Sequence, residues 1–279
     1  MKDKPIKELL DFSIINIDKP LGPTSFSVTN FICKSLSLNK CAHMGTLDPT
    51  IVSGVLPITL GRACRLNEIF MHRDKEYVGI MRVHQDVSLD ILKEKINNFI
   101  GKITQLPPVR SRVKRAPRER EVKSFDILEK KGKDILFKTK VQAGTYIRKL
   151  IHDIGLQIGG AHMLELRRIQ AGIFSEENIV SLYEFESAIL EYKNGNEKPL
   201  RNILIPAESA ILKVLPKVEV IESSVKKLLD GKPLMKSDLQ APIKEPKFSL
   251  FHEDRFIGIY NKVSEGDIIA KAEFILNYG

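Results

Sequence analysis

The stretch HMGTLDPTIVSGVLP, residues 43–57, restricts how the chain can fold around it. Two glycines and two prolines are spread along it, and this spacing does not allow a long helix. The stretch is therefore predicted to be a shaped loop with one short strand at 52–56. Within the loop, Asp48 directly precedes Pro49, which disfavours helical backbone angles at the aspartate.

A carboxylate with a restricted backbone is a candidate for catalysis. An attacking group must be held close to its productive geometry, because small misplacements cost rate steeply. Asp48 is therefore our candidate catalytic residue. The alternative is an ordinary turn in which the Asp48 side chain bonds its own backbone, and most Asp-Pro pairs are of that kind.

The flanking sequence predicts alternating strands and helices. Strands are expected where apolar residues run together or alternate, and helices where Thr, Ser or Gly signals frame a helical stripe. The predicted strands are 13–18, 75–83, 122–128, 135–141 and 164–168, and the predicted helices begin at Thr24 or Ser25, at Ser88 and at Thr145.

The last part of the chain has a short-strand pattern of its own. We predict two domains, 1–213 and 214–279, because new strands begin near Val218. A helix at 223–229, a hairpin turning near Glu253 and a last strand at 268–276 indicate a small β-barrel-like module. The polar stretch 191–200 is predicted to be a surface loop.

Composition narrows the class of protein. The 279 residues are 43% hydrophobic and 28% charged, which is typical of a globular chain, and the net charge of +9 favours a polyanionic partner such as nucleic acid. Cys33, Cys41 and Cys64 are an odd count without a C-x-x-C pair, so free thiols in the reducing cytoplasm are expected. No signal peptide or membrane span is predicted.

Two further motifs carry candidate site residues. GTYIR, 144–148, opens a helix, and the Arg148 guanidinium could pair with Asp48 and keep it ionised. KEY, 75–77, lies on a strand, and Tyr77 could stack on a base removed from its helix. Read alone, Arg148 is more typical of a surface arginine and Tyr77 of a core tyrosine.

The strongest concentration of positive charge is the basic segment, residues 110–120. It contains five arginines and one lysine against one glutamate. Arginine suits phosphate and base contacts, so Arg110, Arg112 and Arg115 are predicted to bind RNA. LELRR, 164–168, adds two arginines on a predicted strand. The alternative for the basic segment is a solvated charged loop.

Together these motifs resemble the TruB family of pseudouridine synthases. The resemblance rests on five motifs in the family's order: KPLGPTS (19–25), HMGTLDP (43–49), GVLP (54–57), KEY (75–77) and GTYIR (144–148). Three more stretches are similar to the archaeal and eukaryotic branch, the dyskerin-like catalytic subunits of H/ACA ribonucleoproteins. They are PPVRSRVKR (107–115), GAHMLELRR (160–168) and AGIF (171–174). The C-terminal module resembles a PUA domain.

The resemblance implies an α+β fold with a mixed, mainly antiparallel sheet and a small PUA-like barrel. It implies isomerisation of a flipped-out uridine to pseudouridine, without a metal or organic cofactor. Asp48 is the implied catalytic carboxylate, Tyr77 the stacking residue and Arg148 the partner of Asp48. The implied substrate-binding positions are Lys19, Pro20, His43, Gly45, Thr46 and Leu166.

The delivery of the uridine is open to more than one interpretation. The finer resemblance implies a guide RNA and small ribonucleoprotein subunits as partners, with rRNA and also tRNA as substrates. The second possibility is a stand-alone enzyme for the T-loop uridine of tRNA. The third is an RNA-binding scaffold without activity, and the complete set of Asp48, Tyr77 and Arg148 argues against it.

Overall fold

A computed structural model describes residues 4–107, 114–239 and 242–277. Eleven strands of these residues form one sheet. They are β1 (Ser13–Lys19), β2 (Cys41–His43), β3 (Val52–Leu60), β4 (Lys75–Val83), β5 (Gly101–Gln105), β6 (Arg118–Lys131), β7 (Asp134–Val141), β8 (Ala161–Ala171), β9 (Phe174–Ser175), β10 (Val180–Ser181) and β11 (Ile205–Pro206).

The strand order of this sheet is β10-β1-β3-β8-β4-β7-β6-β5, with β11, β2 and β9 added beside β1, β3 and β8. Within the described part of this sheet, β1–β10 and β3–β8 pair in parallel and the other pairs are antiparallel. The predicted mixed, mainly antiparallel sheet is therefore confirmed.

A second, five-stranded sheet lies at the C-terminal end of the described chain. It contains β12 (Lys217–Glu219), β13 (Leu234–Met235), β14 (Lys247–His252), β15 (Arg255–Glu265) and β16 (Ile268–Ile275), in the order β12-β14-β15-β16-β13. The predicted hairpin is the β14–β15 pair. This sheet fits the PUA-like module that was expected, and the α+β class is confirmed.

Helices connect the strands of the larger sheet and cover it, and the last helix, α9, packs against the C-terminal sheet. They are α1 (Ile6–Asp11), α2 (Ser25–Ser35), α3 (Asn67–Met71), α4 (Leu89–Asn97), α5 (Ile147–Leu156), α6 (Leu182–Lys193), α7 (Lys198–Ile203), α8 (Ala207–Ile211) and α9 (Glu222–Leu229). Thr24 caps α2 and Ser88 caps α4, each by accepting a backbone N–H. No helix within the described ranges combines the length and the apolar composition needed to cross a bilayer.

Strands β1 and β3 separate two apolar cores. Both strands are buried along almost their whole length, which explains their nearly continuous apolar sequence. Ile15 and Ile17 of β1 pack into one core with the helices, whereas Ile14 packs into the other. The second core also contains residues of the C-terminal sheet, such as Phe251 and Phe256. The domain boundary at residue 213 remains a prediction, and apolar packing continues across it.

Several predicted boundaries were wrong. Strand β3 continues past Pro57 to Leu60, because β1 pairs with residues 54–59 and β2 pairs with residues 58–60. Strand β5 was not predicted, and the end of the basic segment is not a loop, because residues 118–120 begin β6 and pair with β5. The stretch 191–200 is mostly helical, since α6 extends to Lys193 and α7 begins at Lys198.

Candidate active site

The loop between β2 and β3 holds Asp48 in a defined conformation. Asp48 Oδ1 accepts hydrogen bonds from the Thr50 backbone N–H at 3.0 Å and from the Thr50 hydroxyl at 2.7 Å. The Asp48 carbonyl accepts from the Val52 N–H at 2.9 Å. Gly45 has a φ of +95°, which favours glycine at this position. The turn alternative is thus partly right, because one carboxylate oxygen bonds the local backbone while the other remains for a second partner.

Helix α2 and the turn before it fix this loop from one side. The Ser25 hydroxyl accepts the Leu47 N–H at 2.9 Å, and the Gly22 N–H donates to the Pro49 carbonyl at 2.8 Å. Lys19, at the end of β1, is fully buried and donates to the Pro20 carbonyl at 2.8 Å. The motif at 19–25 therefore contacts the Asp48 loop directly through its backbone and side chains.

Arg148 lies in the first turn of α5, and its Nη2 forms an ion pair with Asp48 Oδ2. The Arg148 side chain is 52% exposed and that of Asp48 27% exposed, so the pair is accessible to a ligand. Burial raises the pKa of Asp48, but the Thr50 hydrogen bonds and the Arg148 charge outweigh it and hold the pKa below its usual value. Asp48 is consequently ionised at neutral pH.

His43 and Thr46 contact each other beside helix α2. His43 Nδ1 is 3.1 Å from the Thr29 hydroxyl of α2, and His43 Nε2 is 3.4 Å from the Thr46 hydroxyl. Thr46 is exposed, and His43 is half-buried. The imidazole is therefore held between a helix and the loop, as suits a residue that positions a ligand.

Tyr77 and Leu166 share one face of the sheet. Tyr77 of β4 pairs with Arg168 of β8, and Gly79 of β4 pairs with Leu166. A Cβ at Gly79 would lie 2.9 Å from Leu166 Cδ1, so the leucine occupies the space that the glycine leaves. Tyr77 is half-buried and Leu166 is buried in the core with the helices. Their roles in binding a base remain predictions.

The basic segment is only partly described. Arg110 and Arg112 lie outside the described residues. Arg115 is exposed, as an RNA-binding arginine must be, and Arg120 lies against Gly144 at the start of the GTYIR motif. A Cβ at Gly144 would be 3.1 Å from Arg120 Nε. The described end of the basic segment thus adjoins the motif that carries Arg148.

The two arginines of LELRR lie on β8, the strand predicted for them. Arg167 forms ion pairs with Asp18 at 2.9 Å and with Glu176 at 2.6 Å. Arg168 is buried, with 2% of its surface exposed. Alternation along β8 directs the two side chains to opposite faces, and both are engaged within the protein.

Sequence reasoning also missed Thr50 and Ser25 as residues that shape the loop. Thr50 could have been found, because a Thr two residues after an Asp is a common partner in a turn. The contact of Ser25 with Leu47 joins residues 22 positions apart and leaves no local signal. Within the described ranges, no group of three or more His, Cys, Asp or Glu side chains is arranged to hold a metal ion.

The arrangement holds the ionised Asp48 carboxylate beside Arg148 and within the electrostatic influence of Lys19. Lys19, which lies behind the loop, has its pKa lowered by burial, while the charge of Asp48 raises it and that of Arg168 lowers it. Such a site offers a preorganised negative group to a reacting atom. The geometry is suited to covalent or electrostatic catalysis by the carboxylate.

Comparison with protein-family models gives two matches in sequence order. Residues 34–147 match the TruB family pseudouridylate synthase N-terminal domain, and residues 148–212 match the tRNA pseudouridylate synthase B C-terminal domain. The first match contains the motifs of Asp48 and Tyr77. It also contains the motif of Arg148 up to residue 147.

Curated archaeal proteins are similar over most of the chain. The probable tRNA pseudouridine synthase B of Thermococcus kodakarensis is 42% identical over 270 residues, which are 96% of this chain and 74% of the relative. The protein of the same name from Nanoarchaeum equitans is 43% identical over 231 residues, which are 82% of this chain. The chain spans 66% of the length of that relative.

Solved structures share the fold. The chain superposes on a chain of a Cbf5-Nop10-Gar1 complex with a TM-score of 0.87 and 38% identity, covering 99% of this chain and 88% of the other. A chain of an H/ACA RNP bound to a substrate RNA containing 2′-deoxyuridine gives a TM-score of 0.86 and 36% identity, with coverages of 98% and 88%.

Proposed function

The chain belongs to the TruB family of pseudouridine synthases, and we propose that it isomerises a uridine of RNA with Asp48 as the reacting carboxylate. The observation that carries this proposal is the state of Asp48. One of its oxygens is fixed by Thr50, the other faces Arg148, and the group is ionised. A carboxylate in this arrangement is oriented before substrate arrives.

The reaction requires little beyond positioning and charge. Isomerisation breaks the bond between C1′ and N1, forms a bond between C1′ and C5, and moves a hydrogen from C5 to N1. A uridine inside a helix is out of reach, so it must be extruded into the site. Tyr77 then stacks on the extruded base, His43 and Thr46 contact the nucleotide, and Asp48 acts at the breaking glycosidic bond.

Delivery of the uridine is proposed to depend on a guide RNA and small ribonucleoprotein subunits. The similarity of the chain to proteins solved in Cbf5-Nop10-Gar1 and H/ACA RNP structures supports this proposal. The net charge of +9 and the arginine-rich basic segment are consistent with a large RNA assembly. rRNA is the substrate expected for a guided enzyme, and tRNA is a further one.

The second candidate is a stand-alone enzyme acting on the T-loop uridine of tRNA. The names of the curated relatives, tRNA pseudouridine synthase B, favour it. The two candidates share one chemistry and differ in what presents the uridine.

Tritium release from uracil-labelled rRNA and tRNA fragments tests both parts of the proposal. Asp48→Asn is expected to abolish release, because the amide carries no negative charge. Asp134→Asn is the matched control, since Asp134 also pairs with an arginine, Arg82, at 2.6 Å. Activity that survives Asp48→Asn would contradict the mechanism. Equal rates on bare tRNA, with and without guide RNA and partner proteins, would contradict guided delivery and favour the stand-alone enzyme.

A further inference from the structure

Arg168 is the largest fully buried side chain in the described chain. Burying a guanidinium is costly unless its donors are paired, so its partners matter. Burial lowers the pKa of Arg168, and the interaction with the neighbouring Tyr77 side chain acts in the opposite direction. A buried cation that is bonded to a candidate site residue calls for a role other than contact with RNA phosphate.

The guanidinium joins three elements of the site. Its Nε donates to the Val55 carbonyl of β3 at 2.7 Å, and its Nη2 donates to the Gly45 carbonyl of the Asp48 loop at 3.4 Å. Tyr77 of β4 lies directly opposite Arg168 in the antiparallel pair, on the same face of the sheet. Arg168 therefore connects a central strand, the loop that carries Asp48 and the strand that carries the stacking tyrosine.

The neighbouring strands β3 and β4 fix the backbone of Arg168 on both sides. Tyr77 and Arg168 lie directly opposite each other in an antiparallel pair, so their side chains are on the same face. On the other side, Gly54 of β3 pairs with Arg168 in parallel and has a φ of +99°. A Cβ at Gly54 would lie 2.3 Å from the Arg168 carbonyl oxygen, so only glycine permits this approach.

Two other buried cations are affected by the same charge. The Arg168 charge lowers the pKa of Lys19 and of Lys75, in both cases after the larger effect of burial. Both lysines donate to backbone carbonyls, Lys19 to Pro20 and Lys75 to Met71 at 2.6 Å. Three buried cations thus donate to backbone carbonyls, and the charge of Arg168 acts on both lysines.

We propose that Arg168 is a positioning residue of the uridine site, which fixes the Tyr77 ring and the loop from Gly45 to Asp48 relative to each other. The proposal rests on the proposed function and adds a residue that does not touch the substrate. Arg148 orients Asp48 from the open side, while Arg168 connects the loop to Tyr77 from the buried side. Without Arg168, the Tyr77 ring and the Asp48 loop are both present, but the distance between them is no longer fixed.

A double-mutant cycle on the full chain, with the RNA and partners that give activity, tests the proposal. Arg168→Met is expected to lower kcat about 10- to 100-fold with KM changed less than about three-fold, because misplacement affects the reacting geometry more than RNA affinity. Arg168→Lys, which keeps the charge, should restore part of the loss. In a Tyr77→Phe background the effect of Arg168→Met should shrink to a few-fold.

Arg167→Met is the matched control. It removes a neighbouring arginine on the opposite face of β8, where the side chain pairs with Asp18 and Glu176, and kcat should stay within about three-fold of the wild type. Equal fold-losses from Arg168→Met in both Tyr77 backgrounds would overturn the proposal. So would an unchanged kcat in Arg168→Met.

A second measurement does not depend on turnover. The ¹⁹F resonance of 3-fluorotyrosine at position 77 reports the surroundings of the ring, and Arg168→Lys and Arg168→Met should shift or broaden it while Arg167→Met leaves it in place. An unmoved resonance in the Arg168 variants would overturn the proposal. Failure of the proposed function would be recognised separately, because Asp48→Asn would then retain activity whatever the Arg168 variants do.

Discussion

The two ends of strand β1 are held in different ways. Before its first residue, Phe12 packs against two phenylalanines of the C-terminal sheet. Its ring centroid is 5.7 Å from that of Phe256 and 5.9 Å from that of Phe274. At its last residue, the buried Lys19 donates to backbone carbonyls beside the Asp48 loop. One end is held by aromatic packing and the other by buried cations and hydrogen bonds.

The difference separates stability from activity. Apolar burial at the Phe12 end contributes favourable free energy without requiring one exact arrangement. Buried cations cost desolvation free energy, and their hydrogen bonds are directional, so they fix geometry more than they stabilise. Substitutions at the Phe12 end should therefore act mainly on the free energy of unfolding, and those at the Lys19 end mainly on turnover.

The largest stability effect is expected for Phe12→Ala. The Phe12 ring is 1% exposed and joins the two sheets, so its loss should reduce the free energy of unfolding by about 3–5 kcal/mol, measured by urea denaturation. Tyr183→Ala is the control, since Tyr183 is 81% exposed and should change stability by no more than about 0.5 kcal/mol. Similar values for the two variants would mean that the aromatic core does not hold the sheets together.

An intermediate effect is expected from the titration of Lys75. Burial, and secondarily the charge of Arg168, lower the pKa of Lys75 to about 8, while Asp74 acts in the opposite direction. The pKa of an unfolded lysine is about 10.4, so between these two values the unfolded state binds more protons and stability rises with pH. Relative to Lys75→Met, the wild type should gain up to about 3 kcal/mol from pH 8 to pH 10.5. If the free energies of unfolding of the two proteins changed with pH in parallel, the lowered pKa of Lys75 would be contradicted.

The smallest stability effect is expected for Arg148→Gln. The ion pair with Asp48 is half-exposed, so the loss should be less than about 1 kcal/mol, although turnover should fall strongly. Because the pKa of Asp48 is lowered in the folded state, this contribution is present above the unfolded value of about 3.9 and is lost as the pH falls through the folded value. Unfolding curves at pH 7 and below pH 4 measure it. The Asp48 loop lies at the Lys19 end of β1, where substitutions are expected to affect turnover more than stability. A large loss of stability at pH 7 in Arg148→Gln would contradict that expectation.

Much of the region around Asp48 could be predicted because its signals are local. The apolar run before Pro20, the cap at Thr24 and the alternation in β4 each lie within a few residues, and these elements form where the patterns place them. The Asp-Pro step predicted a restricted aspartate, and the Thr50 contacts are also local. The family motifs added the identity of the chemistry, which composition and spacing could not supply.

Other features depend on partners that are distant in sequence. Strand β5 is short and forms by pairing with β6, and β3 extends through Pro57 because neighbouring strands are present on its flanks. The aromatic contacts of Phe12 join residues more than 240 positions apart. A local pattern cannot encode such pairings, since it specifies which residues are apolar and not which apolar residues meet.

The sequence by itself determined the class of fold, the order of the elements around Asp48 and the family to which the chain belongs. Only the tertiary structure decided that, of two adjacent arginines in LELRR, Arg167 forms ion pairs with Asp18 and Glu176 while Arg168 is buried against Tyr77 and the Asp48 loop. The reason is that strand alternation assigns neighbours to opposite faces, whereas the burial of each face depends on strands and loops contributed by the rest of the chain.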